Sequence, residues 1–161
     1  MKERIAVGSI GYCEALEETF SKHQRLWRRV RLLASFGNSF WKDKAHQDRF
    51  NLAQAVYGTY KKRNTPAYYA VLYLITSDES LFRCTADCVT KKKIDFQYAL
   101  PRNVSLDLYA LFKTAKSIYT SPSNISIDEL TDQDLFNLEN FRLVINAMLI
   151  CRYGLAAIYL K

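Results

Sequence analysis

The chain has 161 residues and a mass of 18.7 kDa, the size of one ordinary domain, with 49% hydrophobic and 24% charged residues. Its 5 glycines and 3 prolines exclude a collagen-like, disordered or turn-rich chain, and its 4 scattered cysteines exclude a small disulfide scaffold. The formal charge of +7 is the one compositional oddity, and it rules out an acidic mimic of DNA.

The opening residues, Met1 to Gly8, hold no apolar core of signal-peptide length, and with scattered thiols they predict a soluble cytoplasmic protein. From Tyr12 to Ser35, Leu16, Phe20, Leu26, Trp27, Val30, Leu33 and Ala34 fall within an arc of about 140°, which predicts one amphipathic helix. Gly37 and Asn38 are its natural stop. A second helix is expected over about residues 43–60, with Ala45, Phe50, Ala53, Val56, Tyr57 and Tyr60 on one side. Thr65 and Pro66 open a third helix, since threonine caps and proline suits the first turn. Residues 67–75 are apolar nearly all round, so this should be the central buried helix; nine residues are about half a membrane span.

Ser77 and Asp78 are candidate caps for a short helix reaching about Val89. Ile94, Phe96, Tyr98 and Leu100 alternate with polar or small residues, a pattern that allows a strand stopped by Pro101. Ser105 opens a helix that turns Leu108, Leu111, Phe112, Ala115 and Tyr119 inward. Ser126 and Glu129 match a capping box ahead of a final long helix bearing Leu135, Leu138, Phe141, Val144, Ile145, Met148 and Leu149, which Gly154 ends. Residues 5–10 and 155–160 are short and apolar and could pair as a minor two-stranded β appendage. The expected architecture is therefore all-α or mostly α, a compact bundle of about six helices in a single domain over residues 1–161. Within it, residues 1–38 add a basic helix to a helical core over residues 40–153.

Chemistry is sparse. Cys84 and Cys88 share a helix face, but a zinc site needs two more ligands, and His23, His46, Cys13 and Cys151 supply no second close pair. Buried thiols packing as small hydrophobes is the simpler reading. A cysteine nucleophile with His46 as base would require the two to converge in a pocket, whereas His46 suits a packed ring and His23 a surface position. Asp78, Glu79, Asp128, Glu129, Asp132 and Asp134 fall at helix starts, where capping and the helix dipole account for them. Gly8 and Gly11 lack the further residues of a phosphate loop. The sequence thus predicts no enzyme, no metal and no cofactor.

The charge is unevenly placed. Residues 1–64 carry 13 bases and 6 acids, residues 65–120 carry 7 and 5, and residues 121–161 carry 3 and 5. On the first helix Lys22, Arg25, Arg28, Arg29 and Arg31 lie opposite the apolar stripe, a strip suited to phosphates or carboxylates. Lys61, Lys62 and Arg63, and Lys91, Lys92 and Lys93, would extend it if the fold gathers them. Trp27 and Trp41 are candidate aromatic anchors beside it, with ordinary core packing as the competing reading. A solvated helix face, with Glu14, Glu17 and Glu18 one turn away, would equally explain the strip.

The segment Phe40-Trp41-Lys42-Asp43-Lys44-Ala45-His46 followed by Phe50 resembles an uncharacterised family of small helical proteins encoded in phages and conjugative elements of Firmicutes. The likeness continues through Ala70, Tyr73, Leu74, Asp78, Leu81 and Phe82, then Ala115 and Tyr119, and covers about residues 40–153. It implies a mobile-element setting in a bacterial host cell and transfers no catalytic residue. Small proteins of such elements commonly act by binding. That setting, the lack of a catalytic constellation and the one-sided basic helix together lead to the expectation of an accessory protein that engages a host protein or nucleoprotein, as an anti-CRISPR or other counter-defence inhibitor does. Sequence-independent nucleic-acid binding is the alternative, and a membrane is not an expected partner.

Overall fold

The run Pro66–Ile75 has no charged side chain to keep in water, and it forms the innermost helix of the protein. The structure, a computed structural model, describes residues 10–35, 40–58, 63–99, 104–120 and 127–161, with Ile127 described by its backbone alone. In chain order the helices are α1 (Tyr12–Phe20), α2 (Gln24–Val30), α3 (Lys44–Tyr57), α4 (Pro66–Ile75), α5 (Glu79–Thr85), α6 (Leu106–Thr120), α7 (Ile127–Thr131) and α8 (Leu138–Tyr153). The fold is a compact all-α bundle, and no strand occurs among the described residues.

α4 packs along α8 on one side and α6 on the other. Its Val71, Leu72, Leu74 and Ile75 are fully buried, each such side chain contributing roughly 1.5–3 kcal/mol relative to exposure. Thr65 caps α4 by accepting from the Tyr68 N–H at 3.2 Å, and Asp78 caps α5 by accepting from Leu81 N–H at 3.1 Å. Asp43 caps α3 through the His46 N–H at 2.8 Å. α8 ends at Gly154, whose φ of +87° is a left-handed value that favours glycine.

Among the described residues eight α-helices stand where about six helices are expected, because two long periodic segments break. The expected helix from Tyr12 to Ser35 turns at Ser21-Lys22-His23, and a 3-10 turn, Arg31–Ser35, follows α2. The final helix is interrupted between α7 and α8. There Asp132 accepts from the Asp134 N–H at 2.9 Å and Asn137 restarts the helix by accepting from Asn140 N–H at 2.8 Å. Short Asp and Asn side chains compete with helical hydrogen bonding in this way.

The expected strand is not formed. A single bridge joins Val89 to Ile94, and Phe96–Tyr98 winds into a 3-10 turn. Asp95 drives the winding by accepting from the Gln97 N–H at 3.3 Å and its Nε2 at 2.9 Å. Nor does the tail become a β appendage. Leu155–Tyr159 forms a 3-10 turn, and the Lys161 carbonyl accepts from the Tyr12 N–H at 2.8 Å, which ties the tail to the start of α1. Val56 and Ala45, expected inside, are exposed, because α3 packs on α4 through Phe50 and Ala53 alone among its apolar positions with full burial. Gly37, Asn38, Tyr60, Lys61, Lys62, Ser126 and residues 5–9 and 100–102 lie outside the described residues.

Candidate functional site

Nine of the eleven candidate cations are described, and they separate into an exposed set on and beside α2, two buried arginines and an exposed lysine turn. Lys22, Arg28 and Arg31 are exposed on and beside α2. Arg25 is also exposed, and its Nη1 meets Asp128 of α7 at 2.8 Å. Arg29 does not belong to this face. It is buried, with its guanidinium 4.3 Å from the Phe141 ring centre, donating to the Leu130 carbonyl at 2.7 Å and to the Phe136 carbonyl. The reason is the break at residues 21–23: α2 presents Leu26, Arg29 and Val30 inward, and α7 packs over it. Burial lowers the pKa of Arg29, against the pull of Asp132.

Arg63 is likewise buried rather than surface-facing. It donates to the Thr90 carbonyl at 2.6 Å and to the Tyr57 carbonyl, and it stacks 4.6 Å from the Tyr68 ring centre. The Thr90 contact places Arg63 against the turn that carries Lys91, Lys92 and Lys93. The turn is fixed at both ends: Thr90 N–H donates to Lys93 O at 2.9 Å, and Asp95 N–H donates to Cys88 O at 2.7 Å. All three lysines are exposed, and Lys93 lies 3.7 Å from Asp95. Lys61 and Lys62 lie outside the described residues.

Neither tryptophan stands clear of the core. Trp27 is half-buried against it, and Trp41 sits in an aromatic cluster 5.0 Å from His46, 5.0 Å from Phe50 and 5.6 Å from Tyr73. Among the described residues the exposed aromatic side chains are instead Tyr98, Tyr109 and Tyr159.

His46, Cys84 and Cys88 are held within the structure, whereas Cys13 and His23 are exposed. His46 has no solvent exposure; its Nδ1 accepts from the Lys42 N–H at 3.1 Å, so the proton resides on Nε2, which donates to Tyr73 O at 2.8 Å. Burial, above all, pushes its pKa down to about 4, so the ring is neutral at pH 7. Cys84 donates to Leu81 O at 3.2 Å and burial raises its pKa, while burial pushes Cys88 up to about 11. No Cys–His contact is formed among the described residues, and none of their His, Cys, Asp and Glu side chains cluster as a metal site would require.

Two features escape the sequence reading. One is a buried polar network: Tyr12 donates to Asn146 at 2.6 Å, Asn146 donates to Phe40 O and to the Tyr73 hydroxyl at 3.2 Å each, and Tyr73 donates to Phe40 O at 2.5 Å. The other is a cleft between α6 and the α7 region, for which the exposed apolar pair Leu106 and Tyr109 on α6 is the signal. No helix of the described residues is long and apolar enough to cross a membrane. The described residues thus define an all-α protein with a buried polar network and with Arg29, Arg63 and Arg142 buried as well. In comparisons with known proteins, no family model, curated protein or solved structure matches it.

Proposed function

We propose that the chain is a non-catalytic binding protein that presents exposed cations to an acidic surface of a host protein or nucleoprotein. In this reading it serves a mobile element as an accessory or counter-defence factor in the bacterial cytoplasm. The observation that carries the proposal is the 90–93 turn. Three consecutive exposed lysines are held on a backbone fixed by hydrogen bonds and backed by Arg63, so their mutual repulsion is borne by a pre-organised support. Lys22, Arg28 and Arg31 offer a second exposed set. The non-catalytic part of the reading is supported by the neutral buried imidazole of His46 and by the burial that raises the pKa of Cys84, Cys88 and Cys151.

The second reading is direct, sequence-independent nucleic-acid binding. It is favoured by Tyr98, 54% exposed and five residues beyond Lys93, a ring on which a base could stack beside phosphate-binding lysines. Mobility-shift titrations of single-stranded and duplex DNA across a salt series separate the two. The protein-partner reading predicts no shift near physiological salt. A shift that weakens steeply with salt and is lost in Lys91→Glu/Lys92→Glu would replace it by the second reading.

A further inference from the structure

The cleft beside α6 exists because its two walls have different partners. α6 packs on α4 and α8, whereas α7 packs on α2, and the space between α6 and α7 is left as a cavity of about 230 Å³. α7, with five residues, is too short to hold itself, and α2 fixes it. Arg29 bridges the carbonyls of Leu130 and Phe136, and Arg25 meets Asp128 at 2.8 Å. The wall is therefore built and held in place before any ligand arrives.

Its chemistry is amphipathic. Ala110, Leu130, Leu135 and Phe136 make an apolar interior, and Leu106 and Tyr109 stand at the mouth, 68% and 42% exposed. Lys113 and Ser117 lie one turn apart on α6, which puts an ammonium and a hydroxyl on one side of the cleft. Lys113 forms no ion pair among the described residues. Thr114, between them, spends its hydroxyl proton on Ala110 O at 2.8 Å. Glu129 occupies the facing wall.

We propose that this cleft is a binding site for a small monocarboxylate with an apolar body, the body against Leu130 and Phe136 and the carboxylate at Lys113 and Ser117. The volume suits a ligand of about the size of an aryl-propionate, below the usual range of drug-sized sites. Lys113 is the one cation among the lining residues, so it matches a single negative charge and leaves the second charge of a phosphate dianion uncompensated. The site uses none of the exposed lysines of the 90–93 turn and stands independently of the function proposed above.

The test is a titration of the full chain, followed by amide NMR shifts, with 3-phenylpropionate, its neutral amide and phenethyl phosphate. The acid should shift residues on both walls, within 106–117 and 129–136, and bind at least about fivefold more tightly than the amide, the worth of one screened ion pair. The phosphate should bind more weakly than the acid. Lys113→Gln, at an exposed position, should bring acid and amide within about twofold of each other, and Ser117→Ala should narrow the gap. Shifts absent from these residues, or a preference for the acid that survives Lys113→Gln, would overturn the proposal. Equal binding of acid and amide by the unaltered chain would overturn it too, and would make the cleft a pocket for an apolar side chain of a protein partner.

Discussion

Replacing Arg29 by methionine keeps most of the aliphatic stem and removes the guanidinium. Two buried carbonyls, Leu130 O and Phe136 O, then lose their charged donor. Leaving a buried acceptor unsatisfied costs roughly 1–3 kcal/mol, and the lost stacking on Phe141 adds about 0.5–1 kcal/mol. The packed stem recovers part of this, so Arg29→Met should destabilise the fold by about 3 kcal/mol. The control is Arg25→Met, four residues away on the same predicted strip. Its ion pair with Asp128 has side chains 71% and 78% exposed, a setting in which such pairs contribute about 0.5 kcal/mol. Urea unfolding followed by circular dichroism distinguishes them. With a slope of about 2 kcal/mol per molar urea, the midpoint should fall by about 1.5 M for Arg29→Met and by about 0.25 M for Arg25→Met. Equal shifts in the two variants, or a loss below about 1 kcal/mol for Arg29→Met, would refute the assignment of Arg29 as the clamp of α7 and the 132–137 turn.

Further outcomes follow from the interior. The folded state holds His46 neutral with a pKa of about 4, below its ordinary 6.5, so its contribution is complete above pH 6.5 and is withdrawn as pH falls through 4, by ~3 kcal/mol in all. The urea midpoint of the wild type should therefore drop more steeply between pH 7 and 4 than that of His46→Gln; parallel slopes would contradict the buried neutral ring. Gly154→Ala places a Cβ at φ +87° with open space around it, so only backbone strain opposes it, at a cost of about 1 kcal/mol measured by thermal or urea unfolding. Asp43→Ala removes the α3 cap and should cost about 1 kcal/mol.

Much of the fold is legible in the sequence where local chemistry decides it. Thr65 and Asp78 cap as their types suggest, Gly154 stops α8, and the uncharged run of α4 is central. What is not legible depends on partners far along the chain. Arg29 lies 101 residues from Leu130, and no helical projection of residues 12–35 can show that α7 covers it. Arg63 looks like the end of a basic run, yet its guanidinium is drawn inward by the carbonyls of Tyr57 and Thr90. The break at Ser21-Lys22-His23 carries no glycine or proline, and apolar periodicity runs through it, so two helices read as one. Among the described residues the basic surface is accordingly smaller than the sequence implies, since Arg29 and Arg63 are buried and Lys91, Lys92 and Lys93 stand on a turn that Arg63 supports. The cleft was hidden for a related reason, since its walls come from segments whose proximity only the tertiary fold supplies.

The binding reading is tested most directly by quantitative affinity capture from a bacterial host, comparing the wild type with Lys91→Glu/Lys92→Glu. These are exposed turn positions, where exchange leaves the Thr90–Lys93 and Arg63–Thr90 hydrogen bonds in place and should shift stability by no more than about 0.5 kcal/mol. The account predicts an acidic protein or nucleoprotein that is retained by the wild type, released by added salt and lost from the equally stable charge-reversed variant. The same partners held with equal strength by both proteins would contradict it.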